Sequence, residues 1–287
     1  MLRQCVSTVA LVTRLAAILG VLLLSAPCFN AFAVDASSWD GDARSAVRLI
    51  AGNRAGDGSL RAGVEVKLAD GWKTYWRYPG DSGVPPVFDF SKSENVKSSS
   101  VLWPAPHRLT YDGGASIGYK GDVIFPVHIV PNDPGRPAIL RLALDYAVCL
   151  NICIPARGQA ELELTSAPSP HNSQLVAAEA RTPKPARVGD RARLGISAVR
   201  RESGEPHSRV VVEVVAQATA PLDLFVEGPA PDWSLPLPEA VAGAPPGLRW
   251  FAFDLDGAPP GVDSTDAPLR FTVVSEENAI EVTAVPK

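Results

Sequence analysis

Beyond Met1 the chain has no methionine, and it carries only four cysteines and four histidines. This scarcity of soft ligands argues against a metal protein, because His107, His128, His171 and His207 show no metal-ligand spacing and a Cu(I) site would rest on cysteine alone. After residue 33, no apolar run approaches the roughly 20 residues that a membrane helix needs. No cluster of Lys or Arg marks a nucleic-acid or anionic-membrane surface; the 27 basic and 31 acidic residues are scattered as on a solvated exterior.

What the N-terminus does contain reads as an export signal. Arg3 and Arg14 supply positive charge, Leu15 to Leu24 is apolar, and Ala31-Phe32-Ala33 has the small-residue pattern of a cleavage site. Residues 1–33 therefore read as a secretory leader, with the mature chain starting near Val34. Cys28 follows the apolar run, but Ser25-Ala26-Pro27 is a poor match to a lipidation box. Cleavage removes Cys5, Cys28 and both arginines, leaving 25 basic against 31 acidic residues. The two remaining cysteines, Cys149 and Cys153, enter an oxidising compartment where paired thiols are joined.

The chain has 27 prolines and 23 glycines, all but Pro27 and Gly20 beyond residue 33, and they break the mature sequence into short segments that alternate with period two. In Ala138 to Tyr146, Leu140, Leu142, Leu144 and Tyr146 share one face, while Arg141 and Asp145 share the other. Leu60 to Leu68, Val123 to Val130, Arg209 to Val215, Arg249 to Leu255, Leu269 to Val274 and Ala279 to Val285 also read as strands. The pattern predicts an all-β protein built from sandwiches. Between Thr165 and Arg191 the composition turns proline-rich around one short helix at Ser173 to Arg181, which reads as a linker. The expected organisation is a sandwich over 34–166, a linker over 167–190, and a smaller β-rich sandwich over 191–287.

Geometry constrains the cysteine pair. In a continuing strand, Cys149 and Cys153 would stand about 13 Å apart, whereas a disulfide needs Cα atoms about 4.4–6.8 Å apart. The chain must turn at Leu150-Asn151-Ile152, through either a helical turn or a tight hairpin, and Pro155 discourages a helix from continuing. Three readings are open: a structural staple, an exchanging redox couple, and half of a soft-metal site. A loop of about five residues gives a staple worth only about 2 kcal/mol, which favours exchange. Three residues intervene and no βαβ pattern surrounds the pair, so a thioredoxin fold is not expected.

Trp72, Tyr75, Trp76 and Tyr78 form an aromatic cluster that reads as sandwich core rather than as a sugar or peptide site. The Gly80-Asp81-Ser82-Gly83 string evokes a serine nucleophile, but it lies between prolines without an evident His or acid partner. Asp112 reads as a solvated loop aspartate rather than as a tuner of thiol acidity. Trp233 and Trp250 read as core or inter-domain contacts.

The stretches Gly71 to Pro85, Gly118-Tyr-Lys-Gly-Asp-Val-Ile-Phe-Pro-Val127 and Tyr146-Ala-Val-Cys-Leu-Asn-Ile-Cys-Ile-Pro155 together resemble the N-terminal periplasmic domain of the disulfide reductase DsbD, in the variant found in ScsB-type suppressor-of-copper-sensitivity proteins. The resemblance runs from about Trp39 to Leu164. It implies a periplasmic immunoglobulin-like sandwich that exchanges disulfides with thioredoxin-like partners through Cys149 and Cys153, with no bound cofactor or metal. Tyr146 and Pro155 bound the cysteine segment as supporting residues. In the family an aromatic cap loop shields the pair; the matching region is Tyr111 to Tyr119, where Tyr111 or Tyr119 stands in for the usual phenylalanine. Full-length relatives continue into a membrane conduit and a thioredoxin-like domain, and neither appears before Lys287. A separate membrane electron donor is therefore expected. The alternatives are a scaffold with a structural disulfide and a copper-tolerance protein binding Cu(I).

Overall fold

The computed structural model describes residues 35–80, 83–111, 114–165, 167–204, 206–216, 221–276 and 278–287. The expected leader lies outside the described residues, as do Asp81, Ser82 and Asp112.

The first half supplies eleven strands: β1 (Asp40–Gly41), β2 (Ser45–Arg54), β3 (Leu60–Leu68), β4 (Lys73–Tyr75), β5 (Val87–Asp89), β6 (Val96–Val101), β7 (His107–Tyr111), β8 (Gly114–Lys120), β9 (Val123–Pro131), β10 (Ala138–Cys149) and β11 (Cys153–Leu164). One sheet has the order β1-β2-β3-β9-β6, the other β11-β10-β4-β8-β7, with β5 also paired to β10. Their inner faces share one core in which Leu49, Val64, Phe125 and Val127 of the first sheet meet Leu140, Leu142, Leu144 and Tyr146 of the second. Phe88, Trp103, Tyr119 and Phe125 pack edge to face, with Trp103 and Phe125 centroids 5.3 Å apart. This is the expected immunoglobulin-like sandwich.

The alternation in β10 stops after Asp145: Tyr146, Ala147, Val148 and Cys149 are all buried. Both faces of the strand are covered there. Tyr146 and Val148 point into the core, while Ala147 and Cys149 form a small outer cluster with Tyr75.

The proline-rich segment contains helix α1 (Asn172–Ala180). It is docked on the first sandwich. Leu175 is fully buried where Gly63 leaves room, since a Cβ on that glycine would lie 2.4 Å from the leucine side chain. Glu179 accepts hydrogen bonds from Arg61 and pairs with His128, and Ser169 Oγ donates to the Ala51 carbonyl.

The second half supplies β12 (Lys184–Pro185), β13 (Gly195–Glu202), β14 (Arg209–Val215), β15 (Leu222–Glu227), β16 (Glu239–Val241), β17 (Leu248–Asp254), β18 (Leu269–Ser275) and β19 (Ala279–Ala284). Two sheets, β12-β19-β18-β15 and β13-β14-β17-β16, enclose a core of Val212, Val214, Phe251 and Phe253 against Leu224, Phe271, Val273 and Val282. Trp233 is buried in that core, and Trp250 is half-buried beneath the Arg200 guanidinium. The two sandwiches touch. Phe225 of β15 is fully buried within the first core, its ring centroid 6.0 Å from that of Trp76.

Candidate functional site

The turn required by the cysteine spacing is a hairpin. β10 and β11 pair in continuous register from Ala138 opposite Leu164 to Cys149 opposite Cys153, and Leu150-Asn151-Ile152 closes the end. Directly opposed residues place the Cα atoms 4.2 Å apart, near the roughly 4.5 Å of a non-hydrogen-bonded antiparallel pair, and the two sulfurs form a disulfide. The helical-turn alternative is absent.

The two halves of the disulfide differ in environment. Cys149 is 6% exposed, sealed by Tyr75 and Ala147, whereas Cys153 is an exposed residue at the start of an edge strand. The Tyr75 ring is itself buried and reaches across β10, so that its hydroxyl lies 2.8 Å from Cys153 Sγ. A disulfide sulfur carries no proton, so Tyr75 is the donor. Burial pushes the Tyr75 phenol above its ordinary value, with Tyr111 adding to the effect, which keeps the donor protonated.

Residues 46–165 match the family described as "Thiol:disulfide interchange protein DsbD, N-terminal". The cysteine hairpin lies inside that span. This segment carries the DsbD N-terminal pattern. The crystal structure of the N-terminal periplasmic domain of ScsB from Proteus mirabilis aligns at 24% identity with a TM-score of 0.67, covering 88% of this chain and 99% of that one. At that identity the likeness establishes the fold, and its coverage takes in both sandwiches. No curated protein sequence matches the chain.

Within the DsbD-like segment, the family-implied supporting residues fall in different places. Tyr111 ends β7, is 42% exposed, and lies under the Lys73 ammonium, 5.2 Å from the ring centroid. It belongs to the outer face that carries the disulfide. Tyr119 does not. It is 4% exposed, packs edge to face against Phe125 inside the core, and donates its hydroxyl to the Pro104 carbonyl at 2.8 Å. Its alternation on β8 explains this: Tyr119 stands opposite Thr74 on the inward face, so a capping position is closed to it. Tyr146 also points inward, with its hydroxyl 2.8 Å from Ser45 Oγ beneath the hairpin. Pro155 pairs with Ala147 on β11, an edge strand where a missing N–H is tolerated.

Three contributors lie outside the cysteine segment. Tyr75 reaches the sulfur, Lys73 stands directly opposite Cys149, and Lys120 stands opposite Lys73, so that two lysine positions continue the line of the disulfide across the sheet. Gly118 lets β4 and β8 approach this closely, because a Cβ there would lie 2.1 Å from the Thr74 carbonyl oxygen. Around the sulfurs, Leu150 and Ile152 are 45% and 75% exposed. Among the described residues no group of three or more His, Cys, Asp or Glu side chains is placed to hold a metal ion. No described helix is long and apolar enough to cross a membrane.

Core packing explains Trp76, which is fully buried, and the partly buried Trp72 and Tyr78. It does not explain the Tyr75 hydroxyl. The odd-numbered alternation of Lys73 and Tyr75 against the inward Thr74 was the only available signal that those two share an outer face.

Proposed function

We propose that this chain is a periplasmic thiol:disulfide exchange protein whose working couple is Cys149 and Cys153. The observation that carries the reading is the unequal burial of two directly opposed half-cystines. A thiolate on a partner can approach Cys153 Sγ from solvent, while Cys149 is shielded. Attack on Cys153 forms the mixed disulfide and releases Cys149 as the thiolate. The second thiol of the partner then attacks the partner's own sulfur in that bond and frees Cys153. Two electrons and two protons pass from the partner dithiol to the pair, and the partner leaves as a disulfide. Run backwards, the same steps let reduced Cys153 attack a partner disulfide, with Cys149 resolving the intermediate.

The DsbD-like segment supports partners of the thioredoxin type. On this reading residues 34–166 form the redox domain, 167–190 its connection, and 191–287 a second domain. Tyr111 is the aromatic residue that fits a capping role.

Trapping tests the proposal. Cys149→Ser keeps the exposed nucleophile and removes the resolving thiol, so a mixed disulfide with a thioredoxin-fold partner accumulates in the periplasm, whereas Cys153→Ser traps none. Equal trapping by both variants, or by neither, contradicts the assignment.

A further inference from the structure

Four consecutive residues connect the sulfur to the second sandwich. Tyr75 donates to Cys153 Sγ at 2.8 Å, and each of the next three side chains grips the second half of the chain. Trp76 packs on Phe225, and its Nε1 has no hydrogen-bond partner among the described residues, so packing alone fixes the indole. Arg77 lies over that indole, its guanidinium carbon 4.3 Å from the ring centroid. The same guanidinium donates to Glu227 at 2.9 and 2.7 Å, and it also pairs with Glu281. Tyr78 accepts a 2.6 Å hydrogen bond from the Leu235 N–H and donates to the Leu235 carbonyl at 3.2 Å. Burial alone would disfavour the Arg77 charge, but the Glu227 hydrogen bond and the charges of Glu227 and Glu281 outweigh it.

We infer that the second sandwich sets the reactivity of Cys153, with Arg77 as the positioning residue that holds Tyr75 on the sulfur. This rests on the exchange reading above. The second sandwich acts by removing freedom from β4. With Trp76, Arg77 and Tyr78 each anchored on β15, β19 or the segment before β16, the end of β4 cannot shift, and the Tyr75 hydroxyl stays aimed at one atom. In the dithiol state that hydroxyl donates to the Cys153 thiolate, a stronger acceptor than the disulfide sulfur. The interface therefore favours the thiolate without touching it.

The test uses the full chain, reduced, with Cys153 alkylated by iodoacetamide across pH and each thiol's labelling resolved by mass spectrometry. Tyr75→Phe raises the midpoint of the Cys153 profile by about one pH unit, the scale of one hydrogen bond to a charged group. Arg77→Met raises it in the same direction, and the double variant shows no more than Tyr75→Phe alone, because the two residues act in series. Glu281→Gln, which leaves Glu227 in place, gives a smaller shift of the same sign and covers the case in which Arg77→Met does not fold. The inference is overturned if Arg77→Met and Glu281→Gln lower the melting temperature but leave the midpoint unchanged, or if the shifts add in the double variant. Failure of the exchange reading looks different: Cys153 of the unaltered, folded, reduced chain would then resist alkylation altogether.

Discussion

Cys149 and Cys153 stand directly opposite each other across a three-residue hairpin loop, yet one is sealed beneath Tyr75 and Ala147 while the other is exposed. Direct pairing makes the disulfide geometrically easy. Unequal burial gives its two sulfurs different access.

Because the bond closes so short a loop, breaking it costs little. Loop-closure entropy amounts to about 2 kcal/mol, which corresponds to a melting point about 4–8 °C lower if the two sandwiches unfold together as one unit of about 250 residues. Calorimetry of the chain before and after reduction checks this. Reduction that unfolds the protein at ordinary temperature would mean that the disulfide is a staple.

The need for a turn between the cysteines was legible in the sequence, as was the inward face of β10, because both follow from strand geometry and period-two alternation. β14 and β18 were legible for the same reason. β6 was not: Val96–Val101 is mostly exposed and reads Val-Lys-Ser-Ser-Ser-Val, without an apolar stripe. β11 hid its alternation behind Pro155 and Gly158, which an edge strand tolerates. The Tyr75 contact could not be read at all, since the tyrosine and Cys153 are separated by 78 positions in the chain and meet only through the order of strands β4, β10 and β11.

Phe225 ties the stability of the two sandwiches together. Phe225→Ala removes a fully buried ring from beside Trp76 and is expected to cost about 3–5 kcal/mol, read as a lower midpoint in urea unfolding. A change below about 1 kcal/mol would mean that the surrounding side chains refill the space.

Alkaline stability depends on buried phenols. Burial, the first cause in each case, raises Tyr75, Tyr119 and Tyr146 above the ordinary tyrosine value, and the Ser45 hydrogen bond only partly opposes it at Tyr146. A group whose folded value is raised holds its proton longer when folded. Its contribution is therefore intact below about pH 10 and is lost as pH rises through the folded value. Ultraviolet titration is expected to show a late-ionising class of tyrosines coinciding with loss of structure, and Tyr119→Phe to remove part of it.

Lys73 stands opposite Cys149 and is expected to favour the thiolate of the reduced pair. Lys73→Glu should raise the midpoint pH of thiol alkylation by about half a unit in low salt and by less in high salt, as nearby and screened charges require. An unchanged midpoint would place the ammonium's influence on Tyr111 rather than on the sulfurs.

Equilibration of the full chain against mixtures of reduced and oxidised glutathione, quenched by alkylation of free thiols, bears most directly on the exchange assignment. The expected result is a reversible transition of the Cys149–Cys153 pair with a midpoint above about −300 mV, the chain remaining folded on both sides. A pair that stays oxidised at every poise at which the protein is folded would contradict it.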